Sequence, residues 1–139
     1  CDGASRGNPG CCGAGWVLFH EGTVASEGTQ YLSDHATNNW AEYQALLGGL
    51  ACAQQKCPRF GCEPLTVEVD SKLVVNQVNG TWETKDATMR ALCAEVRESI
   101  SRVGRVRLVH IPRHLNAHAD RLANQAIDNH DRACAVSMS

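Results

Sequence analysis

The chain of 139 residues is long enough for one domain with its own core, and 43% apolar residues exclude a disordered chain. A formal net charge of −2 excludes a uniformly basic nucleic-acid binder, and no run of 18 apolar residues is present to span a membrane. Residues 1–70 hold 3 basic and 8 acidic side chains, whereas residues 71–113 hold 8 basic and 4 acidic, so an acidic segment precedes a basic one. That pattern suits a metal site beside a phosphate-contacting surface and equally suits ordinary solvated charge.

The segment Asp2 to Gly15 is glycine-rich and contains the turn signal Asn8-Pro9-Gly10, with Asp2 on or beside a first strand. Trp16 to His20 reads as a strand, Glu21-Gly22 as a hairpin turn, and Thr23 to Leu32 as the returning strand. Thr37 or Asn38 is suited to cap a helix reaching about Gln55, on which Glu42, Ala45, Leu46, Gly49, Leu50 and Ala53 share one face. Leu65 to Asp70 alternates as a strand does. Ser71 starts a short helix to about Gln77, closed by Asn79-Gly80, and Ala87 to Val103 has helical periodicity. Arg105 to Ile111 is a strand stopped by Pro112, and Asn116 can cap a last helix from Ala117 to about Asn129. This order predicts an α/β fold: a five-stranded mixed sheet with helices on both faces. The domain is expected over residues 1–128, with 129–139 a poorly ordered tail.

Eight cysteines stand without a C-x-x-C pair. No leader segment is visible, so reduced thiols and an intracellular protein are expected, cytoplasmic first, nuclear or organellar otherwise. Zinc binding by Cys52, Cys57 and Cys62 is the weaker reading.

Four acids stand at structural punctuation points: Asp2 at the first strand, Glu42 on the apolar stripe of a helix, Asp70 at a strand end, Asp120 in the first turn of the last helix. Asp70 and Asp120 are each equally explained by helix capping or dipole complementation. Glu42 is not, because an acid on a sheet-facing stripe is costly unless paired or bound to a cation. Four such acids meeting at a sheet end would hold Mg²⁺ or Mn²⁺ through oxygen ligands.

Asp2-Gly3-Ala4-Ser5-Arg6-Gly7-Asn8-Pro9-Gly10, Thr37-Asn38-Asn39-Trp40-Ala41-Glu42, Val69-Asp70-Ser71 and Asn116-Ala117-His118-Ala119-Asp120-Arg121-Leu122-Ala123 occur in that order. Together they resemble the signature segments of type 1 ribonuclease H. The stretch from Asp70 to Trp82 and its short link to the next helix resemble the compact branch without a basic protrusion. The resemblance implies a ribonuclease H-like fold and hydrolysis of the RNA strand of RNA–DNA hybrids, leaving 5′-phosphate and 3′-hydroxyl ends. It also implies two Mg²⁺ ions, with Mn²⁺ as substitute, about 3.5–4 Å apart. Asp2 would bridge both, Glu42 and Asp70 would hold one, and Asp120 the other. His114 matches a loop histidine thought to help product release, with Arg113 as an alternative phosphate contact or His114 as a plain solvated loop residue. Gly3, Ser5, Arg6 and Asn8 would face the RNA minor groove. Thr37, Asn38 and Asn39 would meet a DNA phosphate, Gln77 base edges, and Trp82 a DNA sugar unless it is core. Asn116 joins the substrate contacts. His20, His35, His110 and His130 carry no pattern. The family's first strand usually begins several residues before the aspartate, and here only Cys1 precedes it, so the chain is expected as a monomer or as part of a longer chain. A same-fold nuclease domain of a retroelement reverse transcriptase and a non-catalytic nucleic-acid-binding module are the alternatives.

Overall fold

The computed structural model describes residues 1–60 and 64–138. The order is β1 (Asp2–Gly7), β2 (Gly10–His20), β3 (Thr23–Ala36), α1 (Asn38–Phe60), β4 (Leu65–Val69), α2 (Lys72–Val78), α3 (Ala87–Val103), β5 (Val106–His110), a single 3₁₀ turn (Arg113–Leu115) and α4 (Ala117–Met138). Five strands are present among the described residues, as expected. Their hydrogen bonds divide them into an antiparallel β1-β2-β3 sheet and a parallel β4-β5 pair.

The glycine-rich opening holds β1 and the start of β2 on either side of the Asn8-Pro9 turn, and β2 begins six residues before Trp16. The cause is close helix packing. A Cβ at Gly3 would come under 3.0 Å from the backbone of Ala41 in α1. One at Gly13 or Gly15 would come as close to the carbonyl of Ala123 or Ala119 in α4. Gly3 pairs with Ala14, whose neighbours Gly13 and Gly15 point to the other face. Thus α1 and α4 pack on opposite faces, and three glycines set both distances.

The main core lies between α1, α2, α3 and the β4–β5 pair: Tyr43, Leu46, Leu50, Val69, Val74 and Val96 are at most 1% exposed. Of the expected stripe of α1, Glu42, Ala45, Leu46, Leu50 and Ala53 are buried and Gly49 is half-buried. Gly48 and Gly49 lie against the Trp16 ring and the Cys1 sulfur, so the glycine pair serves packing. Helix α4 seals the other face with Leu122, Ala123, Ala126 and Ile127.

Helix α4 runs on through the expected tail to Met138. Its distal half has polar partners instead of apolar periodicity. Arg6 reaches Asp128 at 2.7 Å and Asp131 at 3.7 Å, and Tyr31 stacks on His130. No helix among the described residues is long and apolar enough to cross a membrane.

Between the two sheets the Cys1 ammonium donates to the Glu68 carbonyl at 3.1 Å. Beyond it opens a cleft of about 220 Å³, lined by Trp16, Phe19, Leu65, Val67, Ile111 and Leu115 among others. Apolar walls flanked by β2 and β4 suit an added strand, which gains ladder bonds and burial together. Extending the chain upstream of Cys1 by about five residues of alternating character, a usual strand length, is expected to raise Tm. Equal melting of the two versions would show that the cleft does not receive a strand.

Candidate active site

The main-chain constraints just described carry three carboxylates to one place. Asp2 opens β1, Glu42 sits in the first turns of α1, and Asp70 follows the last residue of β4. One oxygen from each lies within 4.8 Å of the others. Asp120, in the first turn of α4, stands near enough to Asp2 to help raise its proton affinity, but outside the group of three. Three of the four acids read from the sequence are therefore brought together, with Asp120 beside Asp2.

Ser71 caps α2 with its own hydroxyl, accepting from Val74 N–H at 3.3 Å, so Asp70 is not needed as the cap. Asn116 N–H₂ donates to Asp70 Oδ2 at 3.2 Å and to the Cys1 carbonyl at 2.8 Å. Its amide therefore holds Asp70 against β1, while its carbonyl takes the first helical bond of α4, from Asp120 N–H at 3.1 Å. Asn124, absent from the sequence reading, donates to the Asp120 carbonyl at 3.0 Å and to Oδ1 at 3.4 Å. Its signal was position: four residues after Asp120, on the same helix face.

Asp2 is 3% exposed and Glu42 2%. Burial pushes both carboxyl groups up, with the Glu42 charge adding to the effect on Asp2. For Glu42, pushed up to about 7, the hydrogen bond with Asp2 works against burial and the Asp70 charge adds to it. Glu42 Oε2 is buried with no hydrogen-bond partner. An orphaned carboxylate oxygen beside two further carboxylates fits a hard cation bound by oxygen, and these residues fit magnesium.

The chain is similar to several known proteins. The family model described as reverse transcriptase-like matches residues 1–126. Ribonuclease HI of Halobacterium salinarum is 40% identical over 129 residues, covering 92% of this chain and 62% of the relative. The crystal structure of LC11-RNase H1 in complex with RNA/DNA hybrid superposes with a TM-score of 0.85 at 38% identity, covering 92% of this chain and 94% of that one. The chain belongs to the ribonuclease H family. A bifunctional protein of Mycobacterium tuberculosis is 41% identical over 130 residues. This chain spans 34% of that relative's length, as against 62% of the archaeal one. The link between α2 and α3 is short, as in the compact branch.

Several expected substrate contacts are engaged within the protein. Gln77 is 7% exposed and accepts from Tyr43 Oη–H at 2.6 Å in the core, so it does not face a base. The period of α2 buries Val74, Val75, Gln77 and Val78 together. Gly3 is buried against α1. Arg6 is bound to α4 through Asp128, Asp131 and the Asn124 carbonyl. Ser5 Oγ–H donates to the Gly7 and Ala36 carbonyls. Asn8 Oδ1 accepts from Asn38 N–H at 3.0 Å, and Thr37 Oγ1 from Trp40 N–H at 3.2 Å, which makes Thr37 the cap of α1. Asn39, Arg113 and His114 are exposed, and Trp82 is 42% exposed, hence surface and not core. His118 pairs with Glu27 at 2.9 Å.

Six described cysteines, Cys1, Cys11, Cys12, Cys52, Cys93 and Cys134, form no disulfide. The side chain of Cys57 and all of Cys62 fall outside the described residues, and with them the Cys52, Cys57 and Cys62 zinc reading.

The raised carboxyl groups fix a pH dependence. Folded Asp2 and Glu42 hold protons more tightly than the unfolded chain, so the metal-free protein loses stability as pH rises, from 4.5 through about 7 for Glu42 and from 3.8 up to about 10 for Asp2. Tm without divalent metal should fall across that window, and Mg²⁺ should recover it at alkaline pH. A Tm that rises from pH 5 to 8 in chelator would contradict the burial of these groups.

Proposed function

We propose that this chain is an endoribonuclease that hydrolyses the RNA strand of RNA–DNA hybrids, leaving 5′-phosphate and 3′-hydroxyl ends. The orphaned Glu42 Oε2 beside the carboxylates of Asp2 and Asp70 carries the reading, because that arrangement calls for a bound cation. The relative solved with an RNA/DNA hybrid supports the substrate class.

Asp2, Glu42, Asp70 and Asp120 would hold two Mg²⁺ ions, for which Mn²⁺ substitutes. Such ions supply an activated water and stabilise charge on the leaving 3′ oxygen. Glu42 and Asp120 both act on the Asp2 carboxyl, which is therefore the acid placed to be shared. Asn116 and Asn124 orient Asp70 and Asp120. The exposed tip of the β1–β2 hairpin, Gly7 to Pro9, offers backbone groups to the 2′-hydroxyls that distinguish RNA. Thr37, Asn39 and the start of α1 meet a phosphate of the DNA strand, and Trp82 packs on a sugar. Arg113 and His114, both exposed on the turn before α4, contact the phosphate and assist product release. The protein acts as a monomeric domain on the hybrid.

The direct test is a labelled hybrid incubated with Mg²⁺ or with EDTA, followed by end analysis of the products. Cleavage in EDTA, or 3′-phosphate ends, would sink the reading.

Asp70→Asn keeps the shape of the side chain and removes its charge. Turnover is expected to fall by more than about tenfold, with hybrid affinity and Tm largely kept. A variant that cleaves at the parental rate in Mg²⁺ would take Asp70 out of the site.

Recognition through successive 2′-hydroxyls requires several consecutive ribonucleotides. A duplex with one embedded ribonucleotide should therefore be cut poorly, and efficient incision there would contradict the proposed contact at the hairpin tip.

A further inference from the structure

The short helix α2 connects the ion site to the substrate surface, because Asp70 stands just before it and Trp82 just after it. Its seven residues are too few to hold a helix on their own, so its end must be fixed from outside. That end folds as a Schellman turn. With Gly80 at φ 81°, the Gly80 N–H reaches the Gln77 carbonyl at 3.2 Å and the Thr81 N–H reaches the Asn76 carbonyl at 2.9 Å. The Trp82 N–H shares the Asn76 carbonyl at 3.1 Å. The turn therefore sets the course of the backbone at Trp82, which stays 42% exposed.

A Schellman turn leaves the carbonyl of the last helical residue without a partner, here that of Val78. Arg97 supplies one from α3. Its Nε–H donates to the Val78 carbonyl at 3.1 Å and its Nη2–H to the Gln77 carbonyl at 3.0 Å. Cys93, one turn earlier on α3, adds its thiol to the same Gln77 carbonyl at 3.5 Å. From the other side the Tyr43 hydroxyl of α1 donates to the Gln77 side chain at 2.6 Å. A fork of two N–H groups fixes orientation as well as distance, and a cation suits the C-terminal end of a helix. A Cβ on Gly80 would stand 3.8 Å from Arg97 Nη2, so the guanidinium lies against the turn itself.

We propose that Arg97 is a positioning residue for substrate binding: by clasping the end of α2 it holds Trp82 where the ring meets the nucleic acid. The inference rests on the proposed contact of Trp82 with the hybrid. Arg97 is exposed, yet its fork is engaged at two main-chain carbonyls of one helix end, so it acts through Trp82.

The test uses the whole chain labelled with ¹⁵N and follows the indole N–H of Trp82, identified by the signal lost in Trp82→Ala. In the free protein its heteronuclear NOE should match that of the core. It should fall in Arg97→Ala and in Arg97→Lys, because an ammonium does not reproduce the fork. With hybrid and Mg²⁺, both variants should raise KM by about threefold or more, as for coupled neighbours, and keep kcat. Added to Trp82→Ala, Arg97→Ala should raise KM no further. An unchanged NOE in Arg97→Ala overturns the clasp, and Arg97→Lys decides the same point where Arg97→Ala fails to fold. A parental KM in Arg97→Lys overturns the proposal in favour of long-range charge. Effects that add to those of Trp82→Ala overturn it in favour of a direct contact. A fall in kcat at unchanged KM overturns it too, and places the effect at Asp70. A parent protein that leaves hybrid uncut overturns the nuclease reading and the hybrid half of this inference with it, while the NOE still decides whether Arg97 holds Trp82.

Discussion

Buried like charge is the constraint on which the structure turns. Asp2 and Glu42 are held almost out of water beside Asp70 and Asp120. Carboxylates so placed raise one another's proton affinity and oppose folding unless a proton or a cation intervenes. The backbone must therefore be held firmly enough to keep them together. The sheet does this by bringing α1 and α4 to near-contact on its two faces at Gly3, Gly13 and Gly15. Side chains at those positions would part the helices that carry Glu42 and Asp120 from the strand that carries Asp2.

The acids were legible because each broke a local rule or ended an element. Glu42 interrupted an apolar stripe, and Asp70 closed an alternating strand. The helices were legible through period and caps, as at Thr37 and Ser71. Other features were hidden for physical reasons. The glycine-rich opening resembles loop sequence, because strands buried under close helices and flexible turns both use glycine. Gln77 looked available to substrate, but only the tertiary pairing with Tyr43 decides that it points inward. Arg6 looked like a phosphate contact, yet its partners lie more than 115 residues away on α4. The distal half of α4 lacks the apolar repeat that marks a packed helix. Its partners are polar and aromatic groups of β1 and β3, and periodicity is blind to these.

The seam between the two sheets links fold to site. A single side-chain amide, that of Asn116, spans the Cys1 carbonyl on the β1 side and Asp70 Oδ2 on the β4 side. The Cys1 ammonium and the Glu68 carbonyl add one bond across the same seam. Any widening there moves Asp70 away from Asp2, because both acids sit at the ends of the strands concerned. Magnesium tolerates little departure from octahedral geometry, whereas looser sites are better filled by more permissive ions. The seam therefore sets the spacing of Asp2 and Asp70, and Asn116, buried to 7% exposure, is the residue that spans it.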